Sequence, residues 1–219
     1  MTPHVYVIHL KHRKDRKEEF LSTWNNIGLP TQQLHWVDAV YGPNLPDSAL
    51  ASFRTMAKTR RSRAGRVGCY TSHVQAIEKA IQYNHFPLLI LEDDAVPIGK
   101  IDLGAIFRSA PENTTLLYFG ALPVKDRKHV SAVTYCGKEH GWIPPVSDIS
   151  LYGGHAYGFL TKEAALDVVS FIKKNRMTFD SALIRYTKTY PERIAIFCPF
   201  QLFQSSGYSN IEAATRPMR

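Results

Sequence analysis

Apolar residues are grouped in short blocks along the chain, and five of these blocks predict strands. They occupy residues 5–8, 34–40, 88–91, 116–119 and 194–197. The blocks are rich in branched and aromatic side chains, which favour strands. Four successive aliphatic residues, as in 88–91, are typical of a strand buried on both faces of a parallel sheet. A sixth strand is predicted at 152–160, where internal glycines mark a bulge or a close approach.

Between the strands, apolar residues recur at helical spacing and predict three amphipathic helices. Their buried stripes are Phe20, Leu21, Trp24 and Ile27; Val74, Ile77 and Ile81; and Ala165, Val168, Val169 and Ile172. The first helix is predicted to stop at Gly28. The second is predicted to begin at Thr71 or Ser72 and the third at Thr161, because their hydroxyls can accept from free backbone N–H groups.

Two segments are less regular. Residues 44–66 are polar and then basic, and the pattern leaves open a loop over a site or a short surface helix. Residues 121–150 contain several glycines and prolines and predict an excursion, with 130–135 as one arm of a hairpin. The alternation of strands and helices elsewhere predicts an α/β fold with a mostly parallel central sheet flanked by helices, in a single domain over residues 1–219.

The composition is that of an ordinary globular protein, with 44% hydrophobic and 21% charged residues. Apolar runs stay shorter than a membrane span, and no signal-peptide pattern opens the chain. Cys69, Cys136 and Cys198 are too few and too scattered to predict a disulfide framework or a zinc site. We therefore expect a reducing compartment, and we interpret Cys69 as a small buried residue.

Three consecutive carboxylates, Glu92, Asp93 and Asp94, end the predicted strand at 88–91. Three adjacent acids repel one another and cannot lie unpaired in a dry core. The carboxyl end of a central strand is where open α/β sheets bind ligands, and clustered hard oxygens suit Mg²⁺ or Mn²⁺. The alternative is an acidic surface turn without a ligand.

The formal net charge is +8, which favours an anionic partner such as nucleotide phosphates, a phosphorylated acceptor or an anionic membrane face. Much of the charge lies at residues 11–17 and 58–66. These clusters lack interleaved aromatic residues, and no nucleic-acid-binding motif is present. We therefore predict no nucleic-acid partner.

Five blocks of sequence together resemble glycosyltransferase family 25, over nearly the whole chain and in the family's order. They are VYVIHLKHRKDRKEEF, RVGCYTSHVQAI, LLILEDDAV, GGHAYGFLTKEAALDVV with FDSALIRY, and QSSGYSNI. The second and third blocks are the specific ones. The chain departs from the family pattern at His9, where asparagine is usual, at Arg66, where an acid is usual, and at Asn210, where aspartate is usual.

The resemblance implies a GT-A fold and an inverting sugar transfer from a UDP-sugar, with galactose as the expected sugar, to a glycan acceptor. It implies Mn²⁺ or Mg²⁺ held by Asp94 and Glu92, because a metal can neutralise charge that develops on the leaving diphosphate. Asp180 is the candidate general base. The donor-binding candidates are His9, Leu10, Arg13, Arg16, Ser72, His73, Glu92, Asp93 and His155.

Several of these assignments have a structural alternative. Asp180 and Ser72 could each be a helix cap, and His155 could be a buried structural histidine. The whole chain could also be a catalytically inactive module that binds a nucleotide sugar or a glycan. A lipid-linked acceptor would place the protein in the cytoplasm, in peripheral contact with the anionic inner membrane face.

Overall fold

The computed structural model describes residues 2–25, 27, 33–53, 55–205, 207–209 and 214–216. The predicted helix stop at Gly28 and the family position at Asn210 lie outside the described residues. The strands are β1 (His4–His9), β2 (Leu34–Asp38), β3 (Leu88–Glu92), β4 (Ala95–Pro97), β5 (Leu116–Lys125), β6 (Lys128–His129), β7 (Gly141–Ile143), β8 (Ser150–Phe159), β9 (Ile194–Cys198), β10 (Leu202–Gln204), β11 (Gly207–Ser209) and β12 (Ala214–Arg216).

The central sheet has the strand order β2-β1-β3-β8-β5-β9-β7, with β6 paired to β5. Strands β2, β1 and β3 are parallel neighbours, and β5 and β9 are also parallel. Strand β8 is antiparallel to both β3 and β5, which leaves β5 pointing the same way as β3. The sheet is therefore mixed but mostly parallel, which confirms the predicted fold class.

The helices are α1 (Lys14–Asn25), α2 (Asp47–Ala51), α3 (Arg60–Tyr83), α4 (Leu103–Arg108), α5 (Ala132–Cys136), α6 (Lys162–Asn175) and α7 (Phe179–Thr189). They cover both faces of the sheet. Tyr6 and Ile8 of β1 pack in a core with α3, α6 and α7. Val5 and Val7 of the same strand pack in a second core with α1 and α4. This alternation explains why β1 is apolar at successive positions.

Helix α3 begins eleven residues earlier than the predicted start at Thr71. Its N-cap is Thr59, whose side chain accepts a hydrogen bond from the Ser62 N–H at 3.2 Å. The prediction of a cap at Thr71 or Ser72 is therefore wrong, and residues 60–66, which the sequence pattern leaves undecided, are helical. Arginine is a good helix former, so a basic segment without an apolar stripe can still extend a helix.

The excursion at residues 121–150 also differs from the prediction. Residues 132–136 form α5, with the Ser131 side chain accepting from the Thr134 N–H, so the hairpin arm at 130–135 is wrong. The hairpin lies earlier, between β5 and β6. Cys136 at the end of α5 forms a disulfide with Cys198 at the end of β9, with 5.5 Å between their Cα atoms.

The disulfide corrects the interpretation of the cysteines as too scattered to pair. Cys136 and Cys198 are 62 residues apart in sequence, and the fold brings them together because β7, which follows α5, pairs with β9. Since disulfides persist mainly in oxidising compartments, the argument for a reducing compartment loses its basis.

Candidate active site

A pocket of about 120 Å³ opens where β1 and β3 end, at the carboxyl edge of the parallel strands. Six segments supply its walls: the end of β1, the start of α1, the chain after β2, one side of α3, the acid triplet and the end of β10. The lining residues are Ile8, Leu10, Arg16, Ala39, Val40, Tyr41, Gly42, Pro43, Gly65, Cys69, Ser72, His73, Glu92, Asp93, Asp94, Gln204 and Ser205. The three acids thus lie at a pocket, as the sequence analysis expects, and not on a plain surface turn.

Backbone hydrogen bonds fix the acid triplet on both sides. The Asp93 N–H donates to the Ile8 carbonyl of β1 at 3.1 Å, and the Ser205 N–H donates to the Asp94 carbonyl at 2.8 Å. Directly afterwards β4 pairs with β10, with Ala95 opposite Gln204. The acids therefore lie in a turn that is hydrogen-bonded to β1 on one side and to the chain after β10 on the other.

Asp93 joins two basic side chains that the sequence analysis predicts as donor-binding residues. Its Oδ1 accepts from Arg16 Nη1 at 2.9 Å, and its Oδ2 lies 3.0 Å from His9 Nδ1. Arg16 Nη1 also donates to Asp94 Oδ2 at 3.2 Å. Because all these side chains are nearly buried, the ion pairs are poorly screened and hold Arg16 in one orientation at the pocket.

Asp94 is a buried acid of the triplet with a raised pKa. Burial, together with repulsion from Glu92 and Asp93, raises its pKa to about 7, although Arg16 and Gln204 act in the opposite direction. Gln204 Nε2 donates to Asp94 Oδ2 at 3.2 Å. The other oxygen, Oδ1, is buried and has no hydrogen-bond partner. An unpartnered carboxylate oxygen at a pocket is well suited to a cation.

Glu92 is oriented by a chain of side chains that leads into the core. Glu92 Oε1 lies 3.1 Å from His73 Nε2, and His73 Nδ1 lies 3.0 Å from the Tyr157 hydroxyl. Burial lowers the pKa of His73 to about 4, so its ring is neutral near pH 7 and carries one proton. An ionised Glu92 can only accept, which assigns the proton to Nε2 and makes the Tyr157 hydroxyl the donor to Nδ1. Phe179 stacks on the His73 ring at 4.0 Å.

The opposite wall depends on close contact between α3 and the chain that follows β2. A Cβ at Gly68 would lie 2.6 Å from the Val40 carbonyl, and one at Gly42 would lie 2.1 Å from the Ala64 carbonyl. Ser72 accepts from the Val40 N–H at 2.8 Å and donates to the Gly68 carbonyl at 2.7 Å. Ser72 is thus a buried bridge in mid-helix that positions this wall, and not a helix cap.

Four predicted site residues lie outside the pocket lining, and one of them, His9, is next to it through its contact with Asp93. Arg13 pairs with Asp15 at 2.7 Å on the exposed start of α1. His155 is buried against Gly120 and Leu202, as in its structural alternative. Asp180 lies behind the His73 wall: its Oδ1 accepts from the Gly154 N–H at 3.0 Å. A Cβ at Gly154 would lie 2.8 Å from the Phe179 ring and 3.4 Å from the His73 ring. The N-cap of α7 is Thr178, so Asp180 is not the cap either.

Two residues at the pocket were not predicted from the sequence pattern. Cys69, expected to be buried, is partly exposed, and its sulfur lies within 4.8 Å of ligand atoms of His73 and Glu92. Gln204 is far from the triplet in sequence, and only the pairing of β10 with β4 brings it to Asp94. The position of Cys69 one helical turn before His73 is the one signal that could have placed its side chain near His73.

The residues present fit a divalent cation. Asp94 Oδ1 is a buried oxygen without a partner, and Glu92, which His73 orients, is close enough to raise the pKa of Asp94. Asp93 is instead engaged with Arg16 and His9. Carboxylate oxygens are the ligands that Mg²⁺ and Mn²⁺ prefer.

Comparison with known proteins decides the family. Residues 2–183 match the family profile described as Glycosyltransferase family 25 (LPS biosynthesis protein). The chain belongs to glycosyltransferase family 25. The match includes nearly all the pocket-lining residues and Asp180, and it confirms the resemblance inferred from the sequence blocks.

Curated relatives in this family come from two mosquitoes. A Glycosyltransferase 25 family member of Aedes aegypti is 28% identical over 129 residues, which are 53% of this chain and 21% of the relative. One of Anopheles gambiae is 28% identical over 149 residues, 62% of this chain and 25% of the relative. The aligned region thus spans a quarter or less of the length of these relatives.

A solved structure shows the same fold. The apo form of mouse xyloside xylosyltransferase 1 superposes with a TM-score of 0.51 and 11% identity, over 90% of this chain and 85% of that one. At this identity the likeness shows the architecture alone, which is of the GT-A type.

Proposed function

We propose that this family 25 chain transfers a sugar, with galactose as the first candidate, from a UDP-sugar to a hydroxyl group of a glycan acceptor. The transfer is proposed to invert the anomeric carbon and to use Mn²⁺ or Mg²⁺. The observation that carries the proposal is the buried, unpartnered Asp94 Oδ1 in a pocket that also contains Glu92 and Arg16. The family membership and the fold support the reaction class.

Asp94 and Glu92 would hold the cation, which when bound would supply positive charge to the leaving diphosphate. Binding a cation favours the ionised form of Asp94, whose pKa of about 7 reflects burial and neighbouring acids. Asp93 holds Arg16 at the pocket, where the guanidinium gives the donor phosphates a second positive group. His73 keeps Glu92 in one orientation through its Nε2–H.

Asp180 is the proposed general base for the acceptor hydroxyl. Its support is its place beside Gly154, directly behind the wall formed by His73. Since it does not line the pocket, the acceptor would have to approach from the β8 side. Asp180→Asn keeps an oxygen for the Gly154 N–H, so it should fold normally and lose transfer by about 10²-fold or more.

The test is a screen of UDP-sugars for Mn²⁺-dependent hydrolysis, which needs no acceptor. The wild-type protein should hydrolyse one UDP-sugar preferentially and stop when the metal is chelated. Asp94→Asn should abolish the activity, whereas Asp148→Asn, an exposed carboxylate paired with Lys125 on the surface, should not. Binding of UDP without hydrolysis of any sugar would favour the inactive binding module. Full activity of Asp94→Asn in excess chelator would overturn the metal role.

A lipid-linked acceptor and contact with anionic membrane are part of the proposal. The support is the net charge of +8 and the exposed Lys11 and Lys14 near the start of α1. In the described part of the chain, no helix is long and apolar enough to cross a bilayer. The protein should sediment with vesicles containing phosphatidylserine at low salt and be released by added salt. Failure to sediment would remove the membrane contact and leave the transfer proposal unaffected.

A further inference from the structure

Three histidines meet at the edge of the sheet opposite the pocket. His4 opens β1, His35 lies near the start of β2, and His85 precedes β3. Because these strands are parallel, their amino ends share one edge, whereas the acid triplet lies at the carboxyl ends. The proposed sugar transfer uses none of the three.

The three rings are in mutual contact. His4 Nδ1 lies 3.1 Å from His35 Nε2. The His85 ring lies 4.1 Å from the His4 ring and 4.6 Å from the His35 ring. One ring nitrogen from each histidine lies within 4.8 Å of the others. All three side chains are partly exposed, so an ion in solution can reach them.

Backbone pairing fixes the segments that carry these rings. The His4 N–H donates to the Pro87 carbonyl at 2.8 Å, and the His85 N–H donates to the Ala80 carbonyl of α3 at 3.0 Å. His35 is held in register opposite Tyr6 by the pairing of β1 with β2. The rings therefore converge as a consequence of the fold.

We propose that His4, His35 and His85 form a second metal site, which takes a single Zn²⁺-like cation at the amino edge of the sheet. Zn–N bonds of about 2.0–2.1 Å in a tetrahedral site put the ligand nitrogens about 3.3 Å apart. The 3.1 Å between His4 Nδ1 and His35 Nε2 is close to that separation. The His85 ring is stacked on the His4 ring with 3° between their planes, so binding requires the His85 side chain to rotate until its nitrogen faces the cation. Water would be the fourth ligand.

The surroundings favour zinc over the hard cations proposed for the pocket. Neutral imidazoles suit Zn²⁺, whereas Mg²⁺ and Mn²⁺ prefer oxygen ligands, and no carboxylate belongs to this three-residue group. The Tyr6 hydroxyl lies 2.9 Å from His85 Nδ1. By accepting the Nδ1–H it would leave Nε2 for the metal, as residues behind zinc ligands commonly do.

The experiment measures zinc binding to the full chain, without a histidine tag and freed of metal by chelator. Equilibrium competition with a chromophoric chelator should show one tight Zn²⁺ equivalent, and Zn²⁺ should raise the melting temperature by linkage. Co²⁺ should give the visible absorption of a tetrahedral site. His35→Asn and His85→Asn should each weaken zinc binding roughly tenfold or more.

Matched controls separate this site from other ligands. His129→Asn and His140→Asn change exposed histidines and should bind zinc as the wild type does. Cys69→Ser with Asp94→Asn should also retain the zinc, which would exclude the pocket as its location. The proposal is overturned if the wild type binds no zinc, or if binding survives in both His35→Asn and His85→Asn. Folding of each variant is checked by circular dichroism.

Discussion

At the scale of single residues, the pocket contains buried groups whose pKa values are shifted in opposite directions from the ordinary values of Asp and His. Asp94 has a pKa raised to about 7, because burial and its acidic neighbours disfavour its charge. The pKa of His73 is lowered to about 4 by burial. Negative charge on Asp94 is therefore costly unless a cation is bound, and positive charge on His73 is costly because its ring is buried.

Asp94→Asn should stabilise the protein in the presence of chelator. The folded pKa of about 7 exceeds the unfolded value of 3.8, so the wild type loses stability as pH rises between these values. Asn has no carboxylate to ionise, so the variant does not lose this stability. Its free energy of unfolding should equal that of the wild type below about pH 4 and exceed it by about 1–3 kcal/mol above about pH 7. Urea denaturation at both extremes measures this. An equal stability of the two proteins at about pH 8 would contradict the raised pKa of Asp94.

The buried His155 should make the fold sensitive to acid. Burial lowers the pKa of His155 from 6.5 to about 4. Because the unfolded chain takes up the proton first, the stabilisation is fully present above about pH 6.5 and is lost as the pH falls to about 4. His155→Leu removes this pH dependence. Between the two pKa values, the decrease in the free energy of unfolding should become smaller by about 1.4 kcal/mol for each pH unit. The comparison is urea denaturation at about pH 7 and pH 4.5, with the exposed His129→Leu as the control. If the wild type and His155→Leu lose the same free energy of unfolding between the two pH values, His155 does not cause the acid sensitivity.

At the scale of elements, α3 forms a wall of the pocket because glycines in α3 and in the chain after β2 let the two segments approach closely. Gly68 faces the Val40 carbonyl, and Gly42 faces the Ala64 carbonyl. The contact leaves no room for a side chain at either glycine, so both glycines determine the position of this wall.

Gly68→Ala should therefore destabilise the protein by about 1–3 kcal/mol and weaken UDP binding. In an open helix interior the same change would stabilise by about 0.5–1 kcal/mol, so the sign of the effect is diagnostic. Chemical denaturation and UDP titration measure the two effects. Gln75→Ala, at an exposed position of α3, should change neither. A stabilised Gly68→Ala protein would show that the contact with Val40 is loose.

Local sequence pattern predicts the elements whose stripes are strongly apolar. Strand β3, the glycine-containing β8 and the Thr161 cap of α6 follow from their sequences. The start of α3 was not predicted, because its first two turns bury small residues such as Ala64 and Gly65. Small residues do not produce a clear pattern of apolar positions at helical spacing. Pairing of distant segments, as between β4 and β10, has no local signal, so the contact of Gln204 with Asp94 could not be predicted.

At the scale of the whole molecule, the Cys136–Cys198 disulfide ties the far edge of the sheet together. It joins α5 to β9 across 62 residues. Closing a loop of that length restricts the unfolded chain by about 4 kcal/mol in the loop-entropy account. The half of the sheet that carries the acid triplet contains no part of this link.

Changing Cys136 and Cys198 together to Ser should lower the free energy of unfolding by about 2–4 kcal/mol and leave UDP binding unchanged. Denaturation with and without reductant gives the same comparison for the wild-type protein. A reductant should have no effect on the double variant, which serves as its own control. Equal stability of oxidised and reduced wild type would show that the link does not form in solution.

Strand β1 has a polar group at each end, His4 at the amino edge and His9 beside Asp93. Five residue steps in an extended strand span about 16–17 Å. Paramagnetic cations held by the three histidines and by Asp94 and Glu92 would therefore lie at opposite edges of the sheet, separated by roughly this length. Dipolar spectroscopy between the two positions could then follow donor entry without any attached label.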